Sequence, residues 1–259
     1  MNKLPALTGW RWLKQGAGLF RKQPTALTTL LFANILISIG IGAFPYLGPL
    51  VAVILIPSFS MAFMQACALI DQGQRVTPGV LLTGFRKPAV GALCRVGLIY
   101  MAVSLLLAVV SYFLIDQDFM KQVAAAQADP KAAPDVDLSD LFGMLGVLAL
   151  YLSALMALCF AAPLTYWQKM RPGKAIFYSF FAVLRSARVF VVLLLSWFGI
   201  FVVVSRVITM VFDNSDIGRV VLLWVIFLFI LLLQCAMYAA YRQLFGAPEL
   251  DLPKVDVHA

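Results

Sequence analysis

Six apolar stretches with short polar connections between them make up most of the chain, at roughly 26–44, 49–70, 90–115, 141–167, 188–212 and 218–241. A bilayer hydrocarbon core of about 30 Å needs about 20 largely apolar residues in a helical crossing. Each stretch meets that length, so the pattern predicts an all-α, polytopic membrane bundle of six transmembrane helices. Residues 1–25 then form an arm, residues 26–241 a membrane domain with a long outer connection over 116–140, and residues 242–259 a tail. Before the first stretch the pattern changes. At helical spacing, Arg11, Lys14, Arg21 and Lys22 fall in one sector, and Trp12, Leu13, Leu19 and Phe20 fall in the opposite one. A helix with a basic face and an aromatic face is expected to lie in the headgroup plane.

Segments ahead of the odd-numbered crossings resemble one another. Gly18-Leu19-Phe20-Arg21-Lys22-Gln23-Pro24 leads into the first, Gly84-Phe85-Arg86-Lys87-Pro88 into the third and Ala182-Val183-Leu184-Arg185-Ser186 into the fifth. They suggest a threefold repeat of an interfacial helix plus a transmembrane hairpin, all three units in one orientation. Thr77-Pro78 and Arg171-Pro172 place proline where a helix tolerates it, at its first position. In the third copy Ile176, Phe177, Phe180, Phe181 and Leu184 recur at helical spacing.

Charge orients the bundle. All of the 20 Lys and Arg residues except Lys121, Lys131, Arg206 and Arg219 lie on the side of the chain ends, and the other side holds Asp116, Asp118, Asp129, Asp135, Asp137, Asp140, Asp213 and Asp216. Positive loops stay in the cytoplasm, so both termini are expected there, in a bacterial inner membrane. The first crossing is expected to stay attached, because Phe44-Pro45-Tyr46 is a poor cleavage site. With 63% hydrophobic and 12% charged residues, little chain is left for a soluble domain, and the net charge of +8 reads as an orientation and lipid signal, with no nucleic-acid partner implied.

Candidate chemistry is thin. Cys67, Cys94, Cys159 and Cys235 match no metal-ligand spacing, and the single histidine, His258, sits in the tail. The six aspartates of the outer connection, where Asp118 could cap a short helix, read as a solvated acidic face. No metal, cofactor or catalytic residue is implied. Among the polar residues inside crossings, Asn34, Gln65, Arg206 and Gln234 are the candidates for a role at depth. Counted from the end of each stretch, the three amides share one layer about 9–12 Å deep, able to hydrogen-bond between helices or to floor an inward-open cavity. Arg206 is expected to reach outward to Asp213, Asp216 or a phosphate. Pro57 and Pro163 should kink the second and fourth crossings. Ala149, Ser153, Ala157 and Ala161 form a small-residue ridge that admits a close neighbour.

The series Gly9-Trp10, Trp12-Leu13, Gly16, Leu19-Phe20-Arg21 and Pro24, with Pro45-Tyr46-Leu47-Gly48-Pro49, the 61–71 block and Gly84-Phe85-Arg86-Lys87, resembles a family of six-span inner-membrane proteins of proteobacteria, chiefly beta-proteobacteria. The resemblance is strongest over the first hundred residues. It implies location and architecture, and since the family has no assigned activity it implies no functional residues.

The leading functional expectation is a non-catalytic scaffold or accessory component that contacts anionic phospholipid through Trp10, Arg11, Trp12, Lys14, Arg21, Lys22, Arg86, Lys87, Lys174 and Arg185. A transporter or lipid-handling protein with an inward-facing polar cavity is the main alternative. An intramembrane enzyme is a third, weakened because general acid–base work needs a positioned titratable group at depth.

Overall fold

The computed structural model describes residues 4–85, 89–115, 138–213 and 215–249. Residues 116–137 with Asp118, residues Arg86 and Lys87, and residues 250–259 with Lys254 and His258 lie outside them. Helices in chain order are α1 (Thr8–Lys22), α2 (Pro24–Gly42), α3 (Leu47–Asp71), α4 (Ala89–Leu114), α5 (Leu138–Leu158), α6 (Ala161–Trp167), α7 (Pro172–Arg185), α8 (Ala187–Phe212) and α9 (Asp216–Phe245), with a 3-10 helix at Pro78–Phe85. Six segments are long and apolar enough to cross a membrane: α2, α3, α4, Leu141–Trp167, α8 and α9. The protein is an all-α membrane bundle.

Local chemistry sets the breaks. Pro24 ends α1 and opens α2 at a first-turn position, where its missing N–H leaves no gap in the ladder. The turn from α2 to α3 passes through Tyr46, whose φ of 62° is tolerated in a short loop. The second pre-crossing segment forms eight residues of 3-10 helix instead of an α-helix, with Pro78, Gly79 and Gly84 within it. Gly84 is pressed against α3: a Cβ there would lie 2.8 Å from the Ser58 Cβ.

Packing is concentrated at one end of the bundle. At the end that carries both chain termini, Leu27, Met61, Cys67, Leu93, Phe160, Leu164, Leu193, Ala236 and Tyr238 are all buried. Toward the far end the same helices hold lipid-type side chains outward, with Phe44 68%, Phe113 80% and Met210 89% exposed. Between Leu141 and Leu158, α5 contributes only Gly143 to the buried set. The hydrocarbon must therefore solvate most of the far half, while a protein core holds the terminal half.

Helix lengths explain that core. At 1.5 Å per residue, α2 with 19 residues is about 28 Å long, close to the hydrocarbon thickness, whereas α9 with 30 residues is about 45 Å long. The C-terminal third of α9 thus overshoots the slab at the terminal end. Onto this overhang α1 packs. A Cβ at Gly16 would lie 2.6 Å from the Ala236 nitrogen, and one at Gly9 would collide with the Val189 carbonyl of α8.

Two substitutions separate contact from propensity. Gly16→Leu should cost about 1–3 kcal/mol, because side-chain atoms must displace α9 backbone. Gly18→Ala, with nothing within 4 Å of its Cβ position, should be neutral or stabilise by up to about 1 kcal/mol. Thermal or denaturant unfolding of the purified protein in detergent reads both.

Candidate lipid-facing cap and intramembrane polar residues

The overhang of α9, helices α1, α6 and α7, and the ends of α3 and α8 together form a cap. Its centre is aromatic. Trp12 is fully buried, donates its indole N–H to the Gln243 side-chain oxygen and meets Phe190 edge-on at 5.3 Å. Phe160 stands 6.0 Å from Tyr241 and 5.6 Å from Phe245, and Trp167 stands 4.9 Å from Tyr241. Rings at these separations add roughly 0.5–1.5 kcal/mol per pair beyond their buried area.

Trp12 therefore corrects one expectation from the sequence. It does not contact lipid: the aromatic face of α1 covers α8 and α9, and protein takes the place expected for the bilayer. On the opposite face Arg11, Lys14, Gln15, Gly18, Arg21 and Lys22 are all exposed. Trp10 is 37% exposed, and the Lys14 Nζ sits 5.4 Å from its ring centroid. Lys174 makes a like contact with Tyr178 at 5.6 Å. Lys174 and Arg185 are exposed as well.

Aromatic side chains reach outward instead on α7. Its Ala175, Ser179 and Val183, spaced one turn apart, face the protein, while Phe177, Tyr178, Phe181 and Leu184 stand exposed. The sequence showed the helical spacing of these residues, and the structure shows which of them stand outward.

Ser179 also closes a gap in the fourth crossing. The helix breaks at Cys159–Phe160, between α5 and α6, upstream of Pro163. The Ser179 hydroxyl accepts from the Phe160 N–H at 3.0 Å and donates to the Met156 carbonyl at 2.9 Å. It thus enters the ladder at the pair an unbroken helix would join directly. From α4, the Tyr100 hydroxyl donates to the Leu158 carbonyl at 2.6 Å. Both neighbours supply what an apolar surrounding cannot.

The polar residues at depth do not come together. Cys67 of α3 lies opposite Cys235 of α9, with 3.6 Å between sulfurs, so Gln65 and Gln234 are close in level. Phe32 of α2, however, lies against Trp224 and Phe227 at 5.3 and 5.7 Å. That register sets Asn34 about 15 Å farther along α9 than Gln234. Counting from the ends of the apolar stretches misplaced the layer, because α9 overshoots and α2 does not. Gln65 accepts a hydrogen bond from the Trp167 indole at 3.0 Å, the Asn34 carbonyl oxygen is buried without a partner, and no hydrogen bond among the described residues joins the three amides.

Among the described residues, Arg206 makes neither of the carboxylate contacts expected of it, to Asp213 or to Asp216, and it is exposed on α8. Asp216 instead meets Arg219, its neighbour one helical turn on, at 3.2 Å.

One ion pair crosses the cap. Arg242 Nη1 lies 2.7 and 2.6 Å from the two carboxylate oxygens of Asp71, and the Tyr238 hydroxyl donates to the same carboxylate at 3.2 Å. The side chains are 34% and 21% exposed, so the pair is partly shielded from water. It joins the end of α3 to the overhang of α9. Gln23 adds a second tie, donating to the Gln74 carbonyl at 2.6 Å and accepting from the Val76 N–H at 3.0 Å. Neither tie stood out in the sequence, since a contact across 171 residues leaves no local pattern. Among the described residues, no group of three or more His, Cys, Asp or Glu is placed to hold a metal ion.

A protein of Burkholderia thailandensis named as a probable inner membrane protein is 30% identical over 261 residues, covering 98% of this chain and 96% of that one. The chain belongs to this inner-membrane protein family. No family model matches the chain, and no solved structure matches it. With six crossing-length helices and this relative, it is a multi-pass inner-membrane protein.

Two measurements probe the cap. Ser179→Ala should cost about 1–3 kcal/mol by orphaning the Phe160 N–H and the Met156 carbonyl, and should speed hydrogen exchange at Phe160. A double-mutant cycle of Asp71→Asn and Arg242→Gln should return a coupling of about 1–2 kcal/mol in the unfolding free energy.

Proposed function

We propose that the protein is a non-catalytic component of the inner membrane, a scaffold or accessory subunit whose cap holds anionic phospholipid, with both termini in the cytoplasm. The observation that carries this reading is the outward surface of the cap. On α1 the exposed side offers Arg11, Lys14, Arg21 and Lys22, and on α7 Phe177, Tyr178 and Phe181 stand beside Lys174. Aromatic side chains favour the headgroup level, and each cation near an anionic surface contributes about 1 kcal/mol at low screening. The cap cations also follow the bias that keeps basic segments inside. Its lipid-facing set is Trp10, Arg11, Lys14, Arg21, Lys22, Phe177, Tyr178, Phe181, Lys174 and Arg185, with Arg86 and Lys87 as further members from the sequence.

Some of the groups that could do chemistry near the spans are already engaged. Asp71 is held by Arg242 and Tyr238, and Cys67 faces Cys235 in a buried contact. A transport reading rests on three amides lining one cavity. It loses that support, because Gln65 is sealed against Trp167 and Asn34 lies at another depth.

Full-length protein in phosphatidylcholine vesicles, probed with spin-labelled lipids, tests the lipid reading. Spin-labelled phosphatidylglycerol should associate with the protein about threefold or more over the phosphatidylcholine label. The variant Arg11→Gln/Lys14→Gln/Lys174→Gln should reduce the preference, and adding salt should do the same. Equal association of the two labels with wild type would refute the reading. Orientation has its own check: a cysteine at Gln15 should resist a membrane-impermeant maleimide in intact cells and react after lysis.

A further inference from the structure

Between α2 and α9 runs a groove of about 400 Å³ lined by Thr28, Leu31, Val221, Trp224, Leu228 and Leu231, among others. Its walls are apolar except for Thr28, whose hydroxyl is turned back to the Pro24 carbonyl at 2.8 Å. The register between Phe32 and Trp224 orients it along the bilayer normal. From Leu231 back to Val221 it extends about 15 Å, the depth of one leaflet of hydrocarbon. Thr28 marks its terminal-side head, about 6 Å along α2 from Pro24. Arg21 and Lys22, separated from Pro24 by Gln23 alone, are both exposed, and neither α1 nor α2 carries an acid.

An apolar channel of leaflet length, headed by two cations at the interface, has the polarity of one amphiphile. We infer that the groove seats an acyl chain of a single anionic phospholipid of the terminal-side leaflet, with its headgroup at Arg21 and Lys22. This site rests on the proposed cap function and gives it a defined position. Packing supports an occupant there. Phe32 reaches across to Trp224 and Phe227, but α2 turns its buried Leu27 and Leu30 away from the groove, leaving a gap beside α9 that the bilayer must fill. Arg21 and Lys22 also suit the C-terminal end of the α1 dipole, a role that would be indifferent to lipid type.

Trp224 lies in the wall and reports occupancy directly. Full-length protein is reconstituted in phosphatidylcholine vesicles doped with brominated-chain phosphatidylglycerol or brominated-chain phosphatidylcholine. The Trp224 signal is the difference between wild type and Trp224→Phe. Phosphatidylglycerol should quench it at a concentration about tenfold lower than phosphatidylcholine. Arg21→Gln/Lys22→Gln should erase that difference, and Thr28→Phe, which fills the head of the groove, should weaken quenching by both lipids. Equal quenching of wild type by the two lipids overturns the site, as does a preference that survives the double variant. If the spin-label preference persists while Trp224 shows none, the groove assignment falls and the cap reading stands. Loss of the spin-label preference itself removes the reading beneath both.

Discussion

A mismatch of length governs this structure. The hydrocarbon slab is about as thick as α2 is long, and α9 exceeds it by about half. Surplus helix cannot be left with apolar side chains in water, so it must be covered by protein. Helix α1 supplies part of that cover, approaching α9 through Gly16 and α8 through Gly9 and setting Trp12 against Phe190 and Gln243. Once α1 is fixed there, only its polar side remains outside, and that side is basic. The cationic surface is thus a consequence of how the overhang is buried.

The same constraint divides the bundle into two regimes. In the far half, side chains such as Phe113 and Met210 stand outward, and lipid tails satisfy them as well as protein would. In the cap, neighbouring helices must meet every need. Ser179 completes the broken ladder of the fourth crossing, Tyr100 takes the Leu158 carbonyl, and Arg242 neutralises Asp71. Polar contacts gather where helices end or break. Protein contacts thus hold the cap, and lipid contact surrounds the spans.

Much of the architecture was legible in the residues. Apolar runs of crossing length cannot be mistaken when charge is so scarce, and Pro163 announced a break in the fourth crossing. What covers an apolar helix face is a different matter, since Trp12, Leu13 and Leu19 would suit lipid or protein equally. Gly9 and Gly16 on that face were the available signal. Lipid has no use for glycine, whereas backbone contact demands it. The supposed amide layer failed because depth was counted from the ends of apolar stretches, and those ends do not share a plane. Arg242 with Asp71, and Cys67 with Cys235, are joined only by the tertiary fold.

The mismatch puts α1 and the last third of α9 above the hydrocarbon while α2 stays within it. Spin labels on cysteines at Gly18, Ile37 and Ile230, each an exposed position, measure this through collisions with oxygen and with a water-soluble nickel chelate. Nickel should dominate relaxation at residue 18, and oxygen should dominate it at residues 37 and 230. Oxygen-dominated relaxation at residue 18 would put α1 inside the bilayer and rule out its place on the overhang.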